Sequence, residues 1–298
     1  AKGKPTGIFI DNAMRLFDAV IPPYSKKEQH TALELAFLEC VNVGLTSVHD
    51  MGITSEEFDI YKELLATEKL SIRVNAAIGG EGDLWNTFLR TGPYSDLRQH
   101  KFTVRTIKMY MDGALGSRGA ALIEPYSDEP DNRGLTLSSQ KNIVDVSVEA
   151  LKHGFQVATH AIGDRANNIV LNSYEQAMKQ FPAVASGARF RIEHAQVVST
   201  GDVPRFKKLG ILPSMQPTHC TSDMSWVQAR LGPQRVQGAY AWRSLLDDGN
   251  YIPSGSDFPV EAPNPLWGIY AATIAAICSD DVVPARFNSN KLRPSPIK

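Results

Sequence analysis

Short apolar segments alternate with helical patterns along most of this chain, and that alternation limits what it can fold into. Seven segments, 45–49, 72–78, 104–109, 156–160, 189–193, 211–215 and 251–254, are brief and rich in apolar or β-branched residues. Several are bounded by Gly or Pro, as strand ends often are. Between them, Leu33, Ala36, Phe37 and Cys40 recur at i, i+3, i+4, i+7 and form one apolar helical face. Val170, Tyr174, Ala177 and Phe181 form a second, with Asp164 placed to cap its start. Segments 57–65, 142–152, 203–208 and 242–246 carry weaker helical patterns.

Strands that alternate with helices predict a parallel sheet with helical crossovers. An open doubly wound sheet and a closed barrel both satisfy that pattern. The barrel is favoured because the units run on without a break in composition. No G-x-G-x-x-G follows the first strand either, which argues against a dinucleotide-dependent oxidoreductase. The chain's 298 residues suit one α/β barrel, a fold of about 250 residues. The expected organisation is a TIM-like (β/α) barrel over residues 1–283 and an irregular tail over 284–298, rich in Pro, Asn and Ser. Seven units are one short of eight, and the chain opens on Ala1, so the first strand is expected upstream. Segments 112–137 and 216–238 interrupt the rhythm as long loops after strand ends, where barrel enzymes build their sites.

Charge and cysteine content narrow the function. A net charge of −1, from 31 basic and 32 acidic residues, gives no footprint for nucleic acid. Lys26-Lys27 reads as the solvated start of a helix. Cys40, Cys220 and Cys278 are far apart and form no C-x-x-C, so they read as reduced, mostly buried thiols. No apolar run approaches the roughly 20 residues of a membrane span. A cytoplasmic location is favoured, with any targeting signal before Ala1 out of view.

Candidate chemistry sits where strands end. His160 closes the strand in GFQVATHAIGD, His194 the one in RFRIEHAQ, and Asp257 follows the one in YIPSGSDFPVE; Lys108 lies within TVRTIKMYMDG. Imidazoles and a carboxylate are good ligands for zinc and similar divalent ions. A buried strand lysine with a depressed pKa can add carbon dioxide and become an anionic carbamate. Each residue alone has a plainer reading. A lone strand histidine is more often hydrogen-bonded core, an Asp after Gly-Ser more often a turn, and a strand Lys can face outward. Their joint placement at strand ends carries the functional reading. His49 either lines the pocket or joins Asp50 in a structural turn. His219 is expected in a loop in contact with substrate, and His30, His100 and His153 at the surface.

The segments IKMYMDGALGSRGAAL, GFQVATHAIGDRANNIVL, RFRIEHAQ, ILPSMQPTHCTSDM and IPSGSDFPVE occur in order. Together they resemble the YtcJ-like branch of the metal-dependent amidohydrolases (amidohydrolase family 3), which includes N-substituted formamide deformylase. The resemblance runs from about Thr6 to about Ala276, after which the chain departs from the family pattern. It implies a barrel with one or two divalent metal ions, zinc by preference, at the C-terminal rim. Lys108, as its carbamate, His160, His194 and Asp257 match the family's metal ligands. The family's His-x-His pair on the first strand is absent from the chain, as is the small β-sandwich that family members build from both chain ends.

The resemblance further implies hydrolysis of a carbon–nitrogen bond, in an amide or formamide-like small molecule, by metal-activated water. Asp257 would take the water proton and deliver it to the leaving nitrogen, and His194 would help stabilise the oxyanion. Asp112, Arg118 and His219 are the candidate substrate contacts, by loop position. The alternative is a non-catalytic barrel remnant that acts as a binding or regulatory protein, because loss of the first strand removes two ligands and opens an edge that invites association, including homo-oligomers.

Overall fold

The computed structural model describes residues 7–18 and 20–279. Its strands are β1 (Ser47–Ile53), β2 (Arg73–Ile78), β3 (Tyr94–Ser95), β4 (Phe102–Tyr110), β5 (Gln156–Ala161), β6 (Arg191–His194) and β7 (Leu212–Ser214). Its helices are α1 (Arg15–Asp18), α2 (Lys26–Asn42), α3 (Ser55–Ala66), α4 (Asp83–Thr91), α5 (Gln140–His153), α6 (Asp164–Gln180) and α7 (Pro182–Ala188). They continue with α8 (Val203–Leu209), α9 (Pro217–Asp223), α10 (Val227–Arg235), α11 (Trp242–Asp247) and α12 (Pro265–Ser279). The sheet runs β1-β2-β4-β5-β6-β7 with every pair along that path parallel; β3 adds antiparallel to β4. A parallel bridge from Met215 to Ser254 extends the order by one position. This is a curled α/β half-barrel with helical crossovers, and among the described residues no strand pairs the outer edge of β1.

Local chemistry sets the element ends. Ser25 and Thr54 each close a capping box with the Glu three residues on, which starts α2 and α3. Helix α2 closes on Gly44, at φ +82°, and the Leu45 amide bonds back to the Cys40 carbonyl. Leu45 therefore finishes a helix, and β1 begins at Ser47, later than the sequence pattern predicts, and extends to Ile53.

Three other expectations change. The 251–254 segment contributes only the Ser254 bridge instead of a strand. The 216–238 segment folds into α9 and α10 rather than a loop. Gly163, not Asp164, occupies the cap position of α6, because a Cβ at 163 would lie 1.9 Å from the Ala121 carbonyl oxygen. Asp164 becomes the first helical residue, and its carboxylate accepts from the Ile123 amide at 2.8 Å. The expected tail, 284–298, lies outside the described residues.

The core lies between the sheet and its helices. Phe102 stacks on Tyr61 with centroids 4.8 Å apart, and Phe58 packs edge-on to Phe88. Full burial of a side chain such as Phe102 or Phe190 contributes about 2–3 kcal/mol. The Tyr174 hydroxyl of α6 donates to the Arg191 carbonyl at 3.0 Å and accepts from the Thr159 hydroxyl at 2.7 Å, which pins the helix across β5 and β6. A second, smaller apolar cluster joins Leu115, Leu122 and Tyr126 to Val227 and Leu231 of α10. It folds the 112–137 excursion down onto the rim where the parallel strands end. Among the described residues, no helix is long and apolar enough to cross a membrane.

Candidate metal centre

Parallel pairing fixes the depth of each candidate side chain. Tyr110 pairs with His160 and Lys108 with Ala158, so Lys108 sits two residues below His160 on the same face. His160 pairs in turn with Glu193, and Ala161 with His194. Strict alternation would send His194 to the helix side of the sheet. Its backbone instead turns left-handed, at φ +73°, and the ring comes to 4.5 Å, centroid to centroid, from His160. Asp257 is also left-handed, at φ +56°. A non-glycine residue in that region costs on the order of 1–3 kcal/mol, and such residues cluster at functional sites.

His219 is carried in by α9. Its ring lies parallel to His194 at 6.1 Å, and the ligand atoms of His194, His219 and Asp257 all lie within 4.8 Å of one another. His219 Nε2 and His160 Nε2 are both buried without a hydrogen-bond partner; the latter lies 3.5 Å from an Asp112 oxygen. Buried imidazole nitrogens left unsatisfied in pairs call for another partner. Two imidazoles and a carboxylate converging in this way fit a divalent metal, and the donor types suit zinc. His194 Nδ1 meets the Gln216 side-chain oxygen at 2.8 Å, which leaves Nε2 as the ring's acceptor.

The electrostatics keep the His160 and His194 rings neutral, the form that binds a metal. Burial, with the Lys108 ammonium nearby, pushes His160 down to about 3. Burial first, then His160 and Lys108, hold His194 well below the usual imidazole range. Burial lowers Lys108, against the opposing pull of Glu193 and Asp257. Burial also raises the Asp257 carboxyl, though His219 and Lys108 work against it. Lys108 Nζ lies 4.3 Å from the centre of the Tyr110 ring. Lys108, His194 and Asp257 line a cleft of about 1360 Å³, together with Leu35 of α2 and Ile269 of α12.

The remaining sequence candidates fall elsewhere. Asp112 is 1% exposed and its carboxylate accepts from the amides of Ala121, Ile162 and Gly163 at 2.8–2.9 Å. Arg118 is held by Asp128 through two bonds and by Glu129 at 3.3 Å. Neither lines the cleft. Their visible partners are structural ones: Asp112 stitches loop backbone together and Arg118 pairs with loop carboxylates. His219 moves from loop contact to donor cluster. His49 lines the cleft and bonds the Arg191 guanidinium through Nδ1 at 2.9 Å, while the neighbouring Asp50 accepts from Tyr61. Cys40 is buried and Cys220 partly so.

The sequence reading missed the Arg191–Glu193 pair, 2.7 Å apart and nearly buried. Its signal was there: the two charges alternate with Phe190 and Ile192, the period of a strand with one polar face.

A parallel α/β half-barrel with a histidine–carboxylate cluster where its strands end defines the class, a barrel protein whose rim residues could hold a metal ion. The chain belongs to the amidohydrolase family, whose model matches residues 1–286, past the point where the recognisable motifs stop. It is 32% identical to YtcJ of Bacillus subtilis (strain 168), across 99% of this chain and 54% of that protein. It is 26% identical to the N-substituted formamide deformylase of Arthrobacter pascens, across 88% of this chain and 49% of that enzyme. The crystal structure of an uncharacterized metal-dependent hydrolase from Pyrococcus furiosus superposes with a TM-score of 0.77 at 28% identity, covering 87% of this chain and 52% of the other. The chain spans about half the length of the curated relatives it matches.

Proposed function

We propose that this chain carries the metal centre of a hydrolase that cleaves a carbon–nitrogen bond in a non-peptide amide or formamide-like small molecule. The observation that carries the reading is the convergence of His194, His219 and Asp257 ligand atoms within 4.8 Å. Family membership and the metal-dependent hydrolase of similar fold support it. The formamide class rests on likeness to the Arthrobacter pascens deformylase.

Bound there, a divalent ion, zinc by donor type, supplies Lewis acidity that brings the pKa of water towards 7. His194 and His219 would hold it through ring nitrogens, and His160 offers an unpartnered Nε2 beside them. The buried amine of Lys108 is the form that adds carbon dioxide, and the resulting carbamate gives the site a further anionic oxygen donor. Asp257 has its carboxyl on the cleft and raised towards the working range of a general base. It accepts a proton from the attacking water and returns it to the leaving nitrogen.

Metal analysis and turnover test the reading together. The purified chain is expected to hold about one or two zinc ions, and to release amine from an N-substituted formamide. Chelation should abolish the release and zinc restore it. A chain that neither retains zinc nor shows chelator-sensitive hydrolysis would overturn the proposal. The edge of β1, unpaired among the described residues, favours one second reading, a non-catalytic barrel that binds a partner there. That reading expects a metal-free, inert chain that captures protein through this edge.

A further inference from the structure

Helix α9 is only seven residues long, yet it is tied to the segments that carry His194 and Asp257. At its start, the capping residue Gln216 meets His194 Nδ1 at 2.8 Å. At its end, the Asp223 carboxylate accepts from Gln196 Nε2 at 3.1 Å and from the Tyr240 hydroxyl in a short hydrogen bond. Gln196 follows His194 by two residues, and its carbonyl accepts from the Tyr240 amide at 2.7 Å. Between the two ends, Ser222 donates to Glu261 at 2.6 Å, in the loop where the Val260 amide bonds the Asp257 carbonyl. Tyr240 holds a left-handed backbone, φ +51°, in making these contacts. Its hydroxyl also lies 3.5 Å from the His219 carbonyl oxygen.

A seven-residue helix has too few internal hydrogen bonds to hold its own position. Its placement comes from these anchors. Asp223 lies one turn beyond His219, so the bonds that fix Asp223 also fix the height and rotation of the His219 ring. We infer that Tyr240, through Asp223 and Gln196, is a positioning residue that sets His219 opposite His194 and Asp257 for divalent-metal binding. The inference rests on the donor cluster proposed above. It adds a residue outside the donor cluster, on the segment between α10 and α11.

Tyr240→Phe removes one hydroxyl and keeps the ring. Partners that orient a ligand typically cost about 10–100-fold in metal affinity when lost. Zinc titration of the full chain should therefore give a dissociation constant about tenfold or more above wild type, with the melting temperature of the metal-free protein lowered by only a few degrees. Cobalt substitution should show an altered visible spectrum, since the His219 donor is displaced. The metal-free protein gives an independent readout. The imidazole ¹⁵N resonances of His219 should shift or broaden in Tyr240→Phe while those of His153, on a distant helix, stay put. Gln196→Glu, which sets a second carboxylate against Asp223, should move the same resonances and serves if Tyr240→Phe fails to fold. Unchanged His219 resonances in a folded variant would overturn the inference whether or not the wild-type chain binds zinc. A wild-type chain without zinc affinity whose His219 signals still respond would overturn the hydrolase reading alone and leave the positioning role standing.

Discussion

His194 Nδ1 lies 2.8 Å from the side-chain oxygen of Gln216, and that contact decides which face of the imidazole is available to a metal. The amide oxygen accepts, so Nδ1 carries the proton and Nε2 the lone pair. Gln216→Ala frees the ring to change tautomer and to rotate. Zinc should bind about 10–100-fold more weakly, as read by titration calorimetry. An unchanged affinity would remove Gln216 from the site.

Asp257→Asn separates chemistry from backbone. Asn tolerates the left-handed conformation at φ +56° better than any residue but Gly, so the variant should fold and melt within a few degrees of wild type. Without the carboxylate, amine release should slow by about 10²–10⁴-fold, the usual contribution of general acid–base catalysis. A variant with wild-type turnover would place the proton transfer elsewhere.

Acid should destabilise the metal-free protein through its histidines. His160 titrates at about 3 when folded, and His194 and His49 are also depressed, whereas an unfolded imidazole titrates near 6.5. The unfolded chain therefore binds more protons between those values. These groups contribute stability that is complete above about pH 6.5 and is lost as pH falls towards 3. Urea midpoints measured from pH 7.5 to 4 should fall across that window, and at least as steeply with zinc bound, because metal keeps the folded imidazoles unprotonated while the unfolded chain still takes up protons. A flat profile would argue that the imidazoles are hydrated.

Asp112→Ala tests whether that residue holds the loop backbone together. It strands three buried amides, those of Ala121, Ile162 and Gly163, and each bond to a charged acceptor is worth about 1.5–3 kcal/mol. Urea denaturation should report a loss of at least about 3 kcal/mol. A nearly neutral substitution would reopen the reading of Asp112 as a substrate contact.

Much of the site could be read in the sequence because strand ends are local signals. Lys108, His160 and His194 each lie in an apolar, alternating segment, and the parallel sheet brings such ends to one rim. Asp257 was visible from the turn-rich segment before it, although that segment pairs only at Ser254. His219 was read as a loop residue because α9 starts at Pro217, is short, and owes its place to anchors distant in sequence. The roles of Asp112 and Arg118 were hidden for the same reason. Their partners, backbone amides and the Asp128 carboxylate, become neighbours only when the 112–137 excursion packs against α10. Periodicity reports which face is buried, and says little about which distant group a polar residue will meet.

The pairing of Tyr110 with His160 and of Lys108 with Ala158 has a consequence for side-chain length. Two residues along a strand are about 6.6 Å, so position 108 starts that far below the level of the imidazoles. A donor rooted there needs a long arm to meet them. Lysine has four methylenes before its nitrogen; aspartate and glutamate, equally good at carrying negative charge, have one and two. The depth of a residue in the barrel wall thus selects its reach, and an acid at 108 would carry the charge yet stop short of the rim.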